Sequence, residues 1–201
     1  MADSMVQLTR EQGQVLVRLA RRTLEARLGA TPPGAEQEAL TSALQEELLR
    51  ENRGTFVCLK SGGELRGCIG SLVGDAPLAE GVRRNAVNAA FQDHRFLPLG
   101  AGELGRVRIE VSVLTPPQPL AFADGADLIA KLRPHVDGVI IRKGLAGATF
   151  LPQVWEQLPQ ADSFLAHLCR KAGLPPDTWR YPGLEVMTYQ VQAFSEEEGG
   201  D

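Results

Sequence analysis

The chain has 201 residues, of which 43% are hydrophobic and 23% charged, and its formal net charge is −4. This composition is typical of a globular protein with a substantial core, and it excludes binding to nucleic acid or acidic lipid through overall charge. The N-terminal residues contain neither a basic start nor an apolar run, and no stretch is apolar enough to span a membrane. We therefore expect a cytoplasmic protein whose three cysteines are reduced thiols.

Two helices are predicted before the first strand. Thr9 and Gln12 have the spacing of a capping box. Apolar residues then recur at the intervals of an amphipathic helix, which ends at Gly29. A second helix is predicted over residues 36–50, where apolar side chains again fall on one face. Both segments have the pattern of packing elements.

A β-hairpin is predicted next. Residues 55–60 and 65–72 have the composition of strands, and the intervening turn contains Gly62 and Gly63. The second strand includes the sequence Leu-Arg-Gly-Cys-Ile-Gly at residues 65–70. It therefore places an arginine and a cysteine two residues apart, between glycines.

The turn also predicts a register for the hairpin. If the two glycines form a two-residue turn, Leu59 pairs with Arg66 and Val57 pairs with Cys68. Arg66 and Cys68 then share one face of the strand, because side chains alternate along it. Cys58 falls on the opposite face, so no disulfide between Cys58 and Cys68 is expected without a change of register.

Helices and strands alternate over the rest of the chain. A helix that begins near Pro77 has an alanine-rich stripe, and residues 106–114 alternate strictly between apolar and polar side chains. Residues 195–201 form an acidic tail that we expect to be disordered. Hairpins interspersed with helices indicate an α+β fold. The remaining predicted elements are a helix over 124–132, strands over 139–142 and 148–151, a helix over 161–172 and a strand over 184–194.

Cys68 is the first candidate for a functional residue. The Arg66 guanidinium on the same face would favour the thiolate and make the sulfur more nucleophilic. A strand cysteine is also a common small hydrophobic core residue, and the local sequence leaves this alternative open. Gly67 and Gly70 are unusual in a strand interior, where they allow another backbone or a ligand to approach closely.

Six further polar residues are candidates for a site. Each also has a structural interpretation, as part of a helix-end salt bridge, a solvated sheet face or an Asx turn. Glu110 and His135 are candidates for moving protons, and the other four are candidates for binding substrate. A functional role requires that they converge on Cys68. The six residues are Asp93, Arg95, Glu110, Ser112, His135 and Asp137.

No metal or cofactor site is predicted. The three histidines stand far apart in the sequence, whereas a zinc site requires closely spaced His or Cys ligands. The glycine-rich turns lack the lysine and hydroxyl residues of a phosphate-binding loop.

Several motifs in a fixed order resemble the AMMECR domain family. The family hallmark, Leu-Arg-Gly-Cys-Ile-Gly, is intact at residues 65–70, and Asp93-His94-Arg95-Phe96 is similar to its D-x-R-F motif. The resemblance covers residues 8–194, which we therefore expect to form a single AMMECR-type domain. Further matches are Ser112-Val113-Leu114, Val136-Asp137-Gly138, residues 149–154 and residues 168–173.

The resemblance implies an α+β fold of two subdomains, with mainly antiparallel sheets flanked by helices. The smaller subdomain is formed by a middle excursion of the chain. The chain is also similar to protein A of the AmmeMemoRadiSam system, whose other members resemble a Memo-type protein and a radical SAM enzyme. These two proteins are the partners that the resemblance implies.

Three hypotheses follow for the function. The first is an enzyme, or an enzyme component, in a modification pathway with a radical SAM partner, in which Cys68 is the nucleophile and Arg66 stabilises its thiolate or binds an anionic substrate group. The second is a non-catalytic module whose Leu-Arg-Gly-Cys-Ile-Gly strand docks a protein or an RNA, although the net charge disfavours RNA. The third treats the strand as purely structural and packed against the alanine-rich helix.

Overall fold

The computed structural model describes residues 7–30 and 34–196, and it has the predicted α+β architecture with two four-stranded sheets. The chain divides into two compact units. The first unit combines the described residues up to Leu114 with Gln192–Glu196, and the second comprises Thr115–Val191. The second unit is therefore an insertion in the middle of the first, as the family resemblance implies.

The regular elements follow the predicted order, with short 3₁₀ helices between them. The 3₁₀ helices are Glu47–Arg50, Ala101–Arg106, Pro152–Glu156 and Thr178–Arg180. The helices are α1 (Arg10–Arg27), α2 (Gly34–Ala43), α3 (Leu78–Phe91), α4 (Gly125–Lys131) and α5 (Ala161–Lys171). The strands are β1 (Thr55–Ser61), β2 (Glu64–Ser71), β3 (Val107–Leu114), β4 (Gln118–Pro119), β5 (Gly138–Lys143), β6 (Ala146–Phe150), β7 (Glu185–Tyr189) and β8 (Val191–Ser195).

The first sheet has the strand order β2–β1–β3–β8, and β1 pairs antiparallel with both of its neighbours. Helices α1 and α3 pack on one face of this sheet. Val57, Leu59 and Ile109 are fully buried on that face, because alternate strand residues point to the same side. We call the opposite side the outer face. It carries Phe56, Cys58, Lys60, Cys68, Arg108, Glu110 and Ser112.

Helix α1 begins with the predicted capping box. Thr9 Oγ1 accepts a hydrogen bond from the Gln12 N–H at 3.2 Å, and Gln12 Oε1 accepts one from the Thr9 N–H at 2.9 Å. A cap of this kind stabilises a helix by about 1 kcal/mol. The apolar stripe of α1 is buried in the first core, as the periodicity predicts.

The second sheet has the strand order β4–β7–β5–β6 and is antiparallel throughout its paired strands. Trp155 and Phe164 stack in its core with ring centroids 3.7 Å apart. The buried Trp155 indole donates to the Asp137 carbonyl at 2.7 Å, which satisfies its only polar group. Cys169 is fully buried in the same core, and this burial raises the pKa of its thiol.

The strand predicted over 184–194 is wrong in one respect, because it consists of two strands in different sheets. β7 pairs with β5 in the second sheet, whereas β8 lies beside β3 in the first. The chain passes from one unit to the other at this point, and Gln190 separates the strands. The sequence remains strand-like across the break, so local composition gives no sign of it.

Other boundaries also differ from the predictions. The helix predicted over 36–50 ends at Ala43 and is followed by a separate 3₁₀ helix. Strand β4 was not predicted, because it is short and ends in a proline. Within residues 7–30 and 34–196, every helix is too short or too polar to cross a membrane.

The predicted acidic tail is wrong for its first two residues. Ser195 lies in β8, and the Glu196 carboxylate accepts hydrogen bonds from Arg21 Nε at 2.7 Å and from the Ile109 N–H at 3.0 Å. These two residues therefore belong to the fold. Residues 197–201 lie outside the described residues.

Candidate functional site

The β1–β2 hairpin has the predicted turn but a different register. Gly62 and Gly63 have φ values of 59° and 86°, which a two-residue turn of the I′ type requires. Beyond the turn, Leu59 pairs with Gly67 and not with Arg66 as predicted. Arg66 is therefore the extra residue of a β-bulge, which shifts every later pair by one position.

This shift places Cys58 directly opposite Cys68. The two cysteines form a disulfide, and their Cα atoms are 4.1 Å apart. The prediction that their side chains point apart is wrong, because it assumed an unbroken alternation from the turn. The expectation of reduced thiols is wrong for this pair, whereas Cys169 is a free cysteine.

The strand register aligns three side chains in one row across the outer face. Cys68 on β2 lies opposite Cys58 on β1, and Cys58 lies opposite Glu110 on β3. Lys60, two residues after Cys58, donates from Nζ to Glu110 Oε2 at 2.9 Å. All four residues are half-buried. The structure thus brings Cys68 and Glu110, which were separate candidates in the sequence, to one surface.

The next row along the same strands contains Gly70, Phe56 and Ser112. Phe56 pairs with both of the others, and Ser112 is buried. A Cβ on Gly70 would lie 2.3 Å from Phe56 Cγ, so the missing side chain gives the ring its space. Gly70 and Ser112 therefore flank the cysteine row, although the close approach at Gly70 is made by a side chain of the protein itself.

Gly67 faces the other side of the sheet, where α3 packs. A Cβ at this position would lie 2.2 Å from the Ala89 carbonyl oxygen. The predicted close approach of another backbone is therefore confirmed at Gly67. It supports the structural interpretation of this glycine, because the neighbour is the alanine-rich helix and no ligand is needed to explain it.

Asp93 and Arg95 hold the outer edge of β2 at Cys68. The Cys68 N–H donates to Asp93 Oδ2 at 2.9 Å, and Arg95 Nη2 donates to the Cys68 carbonyl at 3.4 Å. Arg95 also binds both carboxylate oxygens of Asp93, at 2.9 Å from Nε and 2.7 Å from Nη2. The Arg95 guanidinium, helped by the Cys68 N–H, holds the pKa of Asp93 well below its usual range, although burial acts in the opposite direction. The pair therefore occupies the backbone N–H and carbonyl of Cys68, so that no further strand can pair with β2 at this position.

The Arg66 guanidinium is bound by the segment that follows α3. Its Nε donates to Glu103 Oε1 at 3.1 Å, and its Nη2 donates to Glu103 Oε2 at 3.2 Å and to the Leu97 carbonyl at 2.9 Å. It also lies over the Phe96 ring, 5.9 Å from the centroid. These hydrogen bonds with Arg66 hold the pKa of Glu103 below its usual value. Glu103 thus balances the charge of Arg66, and the bulge interrupts the alternation that predicted a face shared with Cys68.

His135 and Asp137 lie in the second unit. His135 has a φ of 63°, in the left-handed region, within the turn that precedes β5. Asp137 is buried, and its carboxylate accepts from the Arg133 N–H at 2.9 Å and from Arg133 Nη2 at 2.6 Å. These contacts favour a structural role for Asp137. A proton-transfer role for His135 stays a prediction.

Sequence reasoning missed Cys58, Lys60 and Glu103. Cys58 and Lys60 reach the site only through the bulge register and the pairing of β1 with β3. Glu103 lies in a 3₁₀ helix far from Arg66 in the sequence. In the described part of the chain, no cluster of three or more His, Cys, Asp or Glu side chains could hold a metal ion.

Comparisons with known proteins agree with this architecture. The AMMECR1 family model matches residues 17–194. A protein of Methanothermobacter thermautotrophicus is 40% identical over 195 residues, covering 94% of this chain and 97% of its own. A protein of Methanopyrus kandleri is 39% identical, covering 95% and 91%. The crystal structure of uncharacterized protein PH0010 from Pyrococcus horikoshii is 34% identical, covers 94% of both chains and has a TM-score of 0.77.

Proposed function

Because this chain belongs to the AMMECR1 family, we propose that it works in the cytoplasm as a component of a modification pathway with a radical SAM protein and a Memo-type protein. The family match over residues 17–194 and the intact hallmark at residues 65–70 support this proposal. They relate the whole domain, and not one short motif, to the AMMECR1 family, and the link from that family to the AmmeMemoRadiSam system is the proposal.

Within that pathway, the outer face around Cys68 is the catalytic or substrate-binding surface. One observation carries this assignment: the register places Cys68, Cys58 and Glu110 in a single half-buried row. A sheet face with a sulfur pair beside a carboxylate can combine a nucleophile with a group that accepts or returns a proton.

Each residue of this surface has a definable role. Reduction of the disulfide frees Cys68 as the nucleophile, and Glu110 moves the proton. Glu103 occupies Nε and Nη2 of the Arg66 guanidinium, whereas the buried Nη1 has no hydrogen-bond partner among the described residues. Nη1 is therefore the atom that can donate to a carboxylate or phosphate group of a substrate.

The pathway assignment is tested in the cell that encodes this chain. One strain lacks the radical SAM gene, a second lacks this gene, and a third carries Cys68→Ser in its place. We expect mass spectrometry of metabolites and of protein peptides to find the same altered masses in all three strains. Cys169→Ala, at a buried cysteine of the second unit, is the matched control and should leave these masses unchanged. Two deletions with no altered mass in common would refute the pathway.

A docking role is the second candidate, and it rests on exposed apolar side chains beside Arg66. Leu97, whose carbonyl binds Arg66, is 83% exposed, and Leu65 is 43% exposed. Capture of the radical SAM or Memo-type protein by a tagged chain separates the two roles. Loss of capture in Arg66→Ala with full capture in Cys68→Ser would favour docking, and the reverse pattern favours the cysteine surface.

A further inference from the structure

We propose that Cys58 and Cys68 are a redox-active pair that exchanges electrons with a dithiol, so that the outer face carries a two-electron couple. This inference deepens the proposed function, and it rests on that proposal for its place in a pathway. The class of partner it names is a dithiol, either a small molecule or a pair of cysteines on another protein.

The fold holds the two cysteines together independently of the bond between them. β1 is paired on one side with β2 and on the other with β3, so strand hydrogen bonds fix the 4.1 Å separation of the Cys58 and Cys68 Cα atoms. Asp93 and Arg95 fix the Cys68 backbone from the outer edge. Breaking the disulfide therefore leaves two thiols in contact, ready to close again.

Access distinguishes this pair from the third cysteine. Cys58 and Cys68 are half-buried on the outer face, where a small thiol can reach them. Cys169 is fully buried, and burial raises the pKa of its thiol, which suppresses the reactive thiolate. The chain thus contains a reactive pair and an inert cysteine.

The charges around Cys58 favour its departure as a thiolate. Lys60 follows two residues later on the same face, and Arg108 lies opposite Lys60 on β3. Glu110 is the facing anion, and it forms an ion pair with Lys60 at 2.9 Å. The Lys60 ammonium, two residues from Cys58 on the same face, is the positive charge that stabilises a thiolate there.

The same arrangement selects the sulfur that is attacked. An incoming thiolate must approach along the line of the disulfide, opposite the sulfur that leaves. Approach to Cys58 comes from the side of Glu110, whose carboxylate repels it. Approach to Cys68 comes from the edge of the sheet, because β2 is the outermost strand, and there the Arg95 guanidinium binds both oxygens of the Asp93 carboxylate and offsets its charge. Cys68 is therefore the sulfur attacked, and Cys58 is the leaving group.

The exchange balances in two steps. A thiolate of the dithiol attacks Cys68 Sγ, the new sulfur–sulfur bond forms, and the Cys58–Cys68 bond breaks with its electron pair on Cys58. The second thiolate of the dithiol then attacks the dithiol's first sulfur, which is bound to Cys68 in the mixed disulfide. This closes the disulfide of the dithiol and releases Cys68 as a thiolate. The two protons of the dithiol end on Cys58 and Cys68. The dithiol becomes a disulfide, and the protein pair gains two electrons.

The first experiment is a redox titration of the full chain. The protein is equilibrated in mixtures of reduced and oxidised dithiothreitol, quenched with acid, alkylated and weighed by mass spectrometry. We expect Cys58 and Cys68 to interconvert completely, with the same midpoint reached from either direction and unchanged circular dichroism. Reduction that requires denaturant, or that does not reverse, would overturn the proposal.

The second experiment tests the direction of attack. Lys60→Gln should slow reduction by dithiothreitol about 5-fold, and Glu110→Gln should speed it about 5-fold. Opposite signs cannot arise from a general loss of stability. The variant Cys58→Ser, which keeps Cys68 and Cys169 as its two thiols, gives the complementary measurement with a neutral dipyridyl disulfide. Cys68 in Cys58→Ser should react at least about 10-fold faster than Cys169, and equal rates would contradict the proposal.

Failure of this inference and failure of the pathway are distinguishable. The titration uses purified protein and reports the sulfur chemistry alone. The strain comparison reports shared masses, whatever the chemistry of the pair. If the pair is reduced and reoxidised in the titration but the strains share no altered mass, the redox inference stands and the pathway is refuted. If the strains share altered masses but the pair does not cycle, the pathway stands and the redox inference is refuted.

Discussion

Two buried aspartates, one in each unit, bind arginines in nearly the same way. In the first unit the Asp93 side chain is 4% exposed and that of Arg95 is 57% exposed. In the second unit the Asp137 side chain is 3% exposed and that of Arg133 is 58% exposed. Each carboxylate also accepts a hydrogen bond from the backbone N–H of its own arginine.

The two pairs differ in what else the carboxylate reaches. Asp137 closes the turn before β5, and its partner lies four residues away. Asp93 extends to a different element, because it also accepts the Cys68 N–H of β2. The same side-chain chemistry therefore fixes a local turn in one unit and a sheet edge beside the cysteine pair in the other.

A glycine lies next to each of these contacts: Gly67 precedes Cys68, whose N–H binds Asp93, and Gly138 follows Asp137. Replacing these glycines gives the largest expected effect. Gly67→Ala should lower the free energy of unfolding by about 3 kcal/mol, because the new methyl meets the fixed Ala89 carbonyl. Gly138→Ala should cost about 2 kcal/mol, because the Tyr189 ring that it meets can shift. Both tryptophans lie in the second unit, so tryptophan fluorescence measures the unfolding of Gly138→Ala. Hydrogen exchange of β1 and β2 measures the loss of stability in Gly67→Ala. Gly102→Ala, with open space at its Cβ, is the control.

Replacing each aspartate with asparagine tests whether the two carboxylates stabilise different elements of the fold. Asp93→Asn should cost about 2 kcal/mol and should speed hydrogen exchange at the Cys68 amide, since a charged acceptor is lost. Asp137→Asn should have a similar cost, with faster exchange confined to residues 133–138. Hydrogen exchange resolved by peptide makes the measurement. Faster exchange in β2 from both variants would remove the distinction drawn between the two pairs.

Acid gives a pH-dependent version of the same test for Asp93. The folded-state pKa is lowered, so the stabilisation is complete above the ordinary aspartate pKa near 4. It decreases as the pH falls toward the lower folded-state value. We expect the difference in unfolding free energy between the natural chain and Asp93→Asn to shrink steadily between about pH 5 and pH 2. Urea unfolding at several pH values measures it, and a constant difference would contradict the assignment.

Arg66 and Glu103 form a third acid–arginine pair with the exposures reversed. The Arg66 side chain is 15% exposed and that of Glu103 is 41% exposed. Because the acid is well solvated, Arg66→Lys should cost only about 1 kcal/mol, mainly through loss of the bidentate geometry. Urea unfolding followed by circular dichroism measures this smallest effect. A cost equal to that of Asp93→Asn would show that burial of the acid is not what separates the pairs.

Much of the fold could be predicted from local sequence. The capping box at Thr9, the glycine turn and the alternation of β3 are signals that lie within a few residues. The extra residue at Arg66 has no such signal, because a bulge is defined by the partner strand and not by the strand that contains it. Because the bulge at Arg66 was not predicted, Cys58 and Cys68 were expected on opposite faces of the hairpin, whereas they lie opposite each other on the same face.

The candidate site was predictable in its components and not in its assembly. Cys68 and Glu110 could be singled out by their chemistry, but their shared row depends on pairing between three strands. The Asp93 contact to the Cys68 N–H joins residues 25 positions apart, and no periodicity reports it. Tertiary contacts also decide which guanidinium nitrogens can bind a ligand, because the Glu103 carboxylate binds the Arg66 Nε.

The insertion of the second unit has a consequence for synthesis on the ribosome. β3 and β8 are neighbours in the first sheet, yet the whole of Thr115–Val191 is made between them. The emerging chain therefore contains β1, β2 and β3, with the two cysteines opposite each other in the hairpin, before β8 is available to pair with the open edge of β3. Closing that edge is a non-local and correspondingly slow step. The cysteine pair is thus assembled early, and the sheet that supports it is completed last.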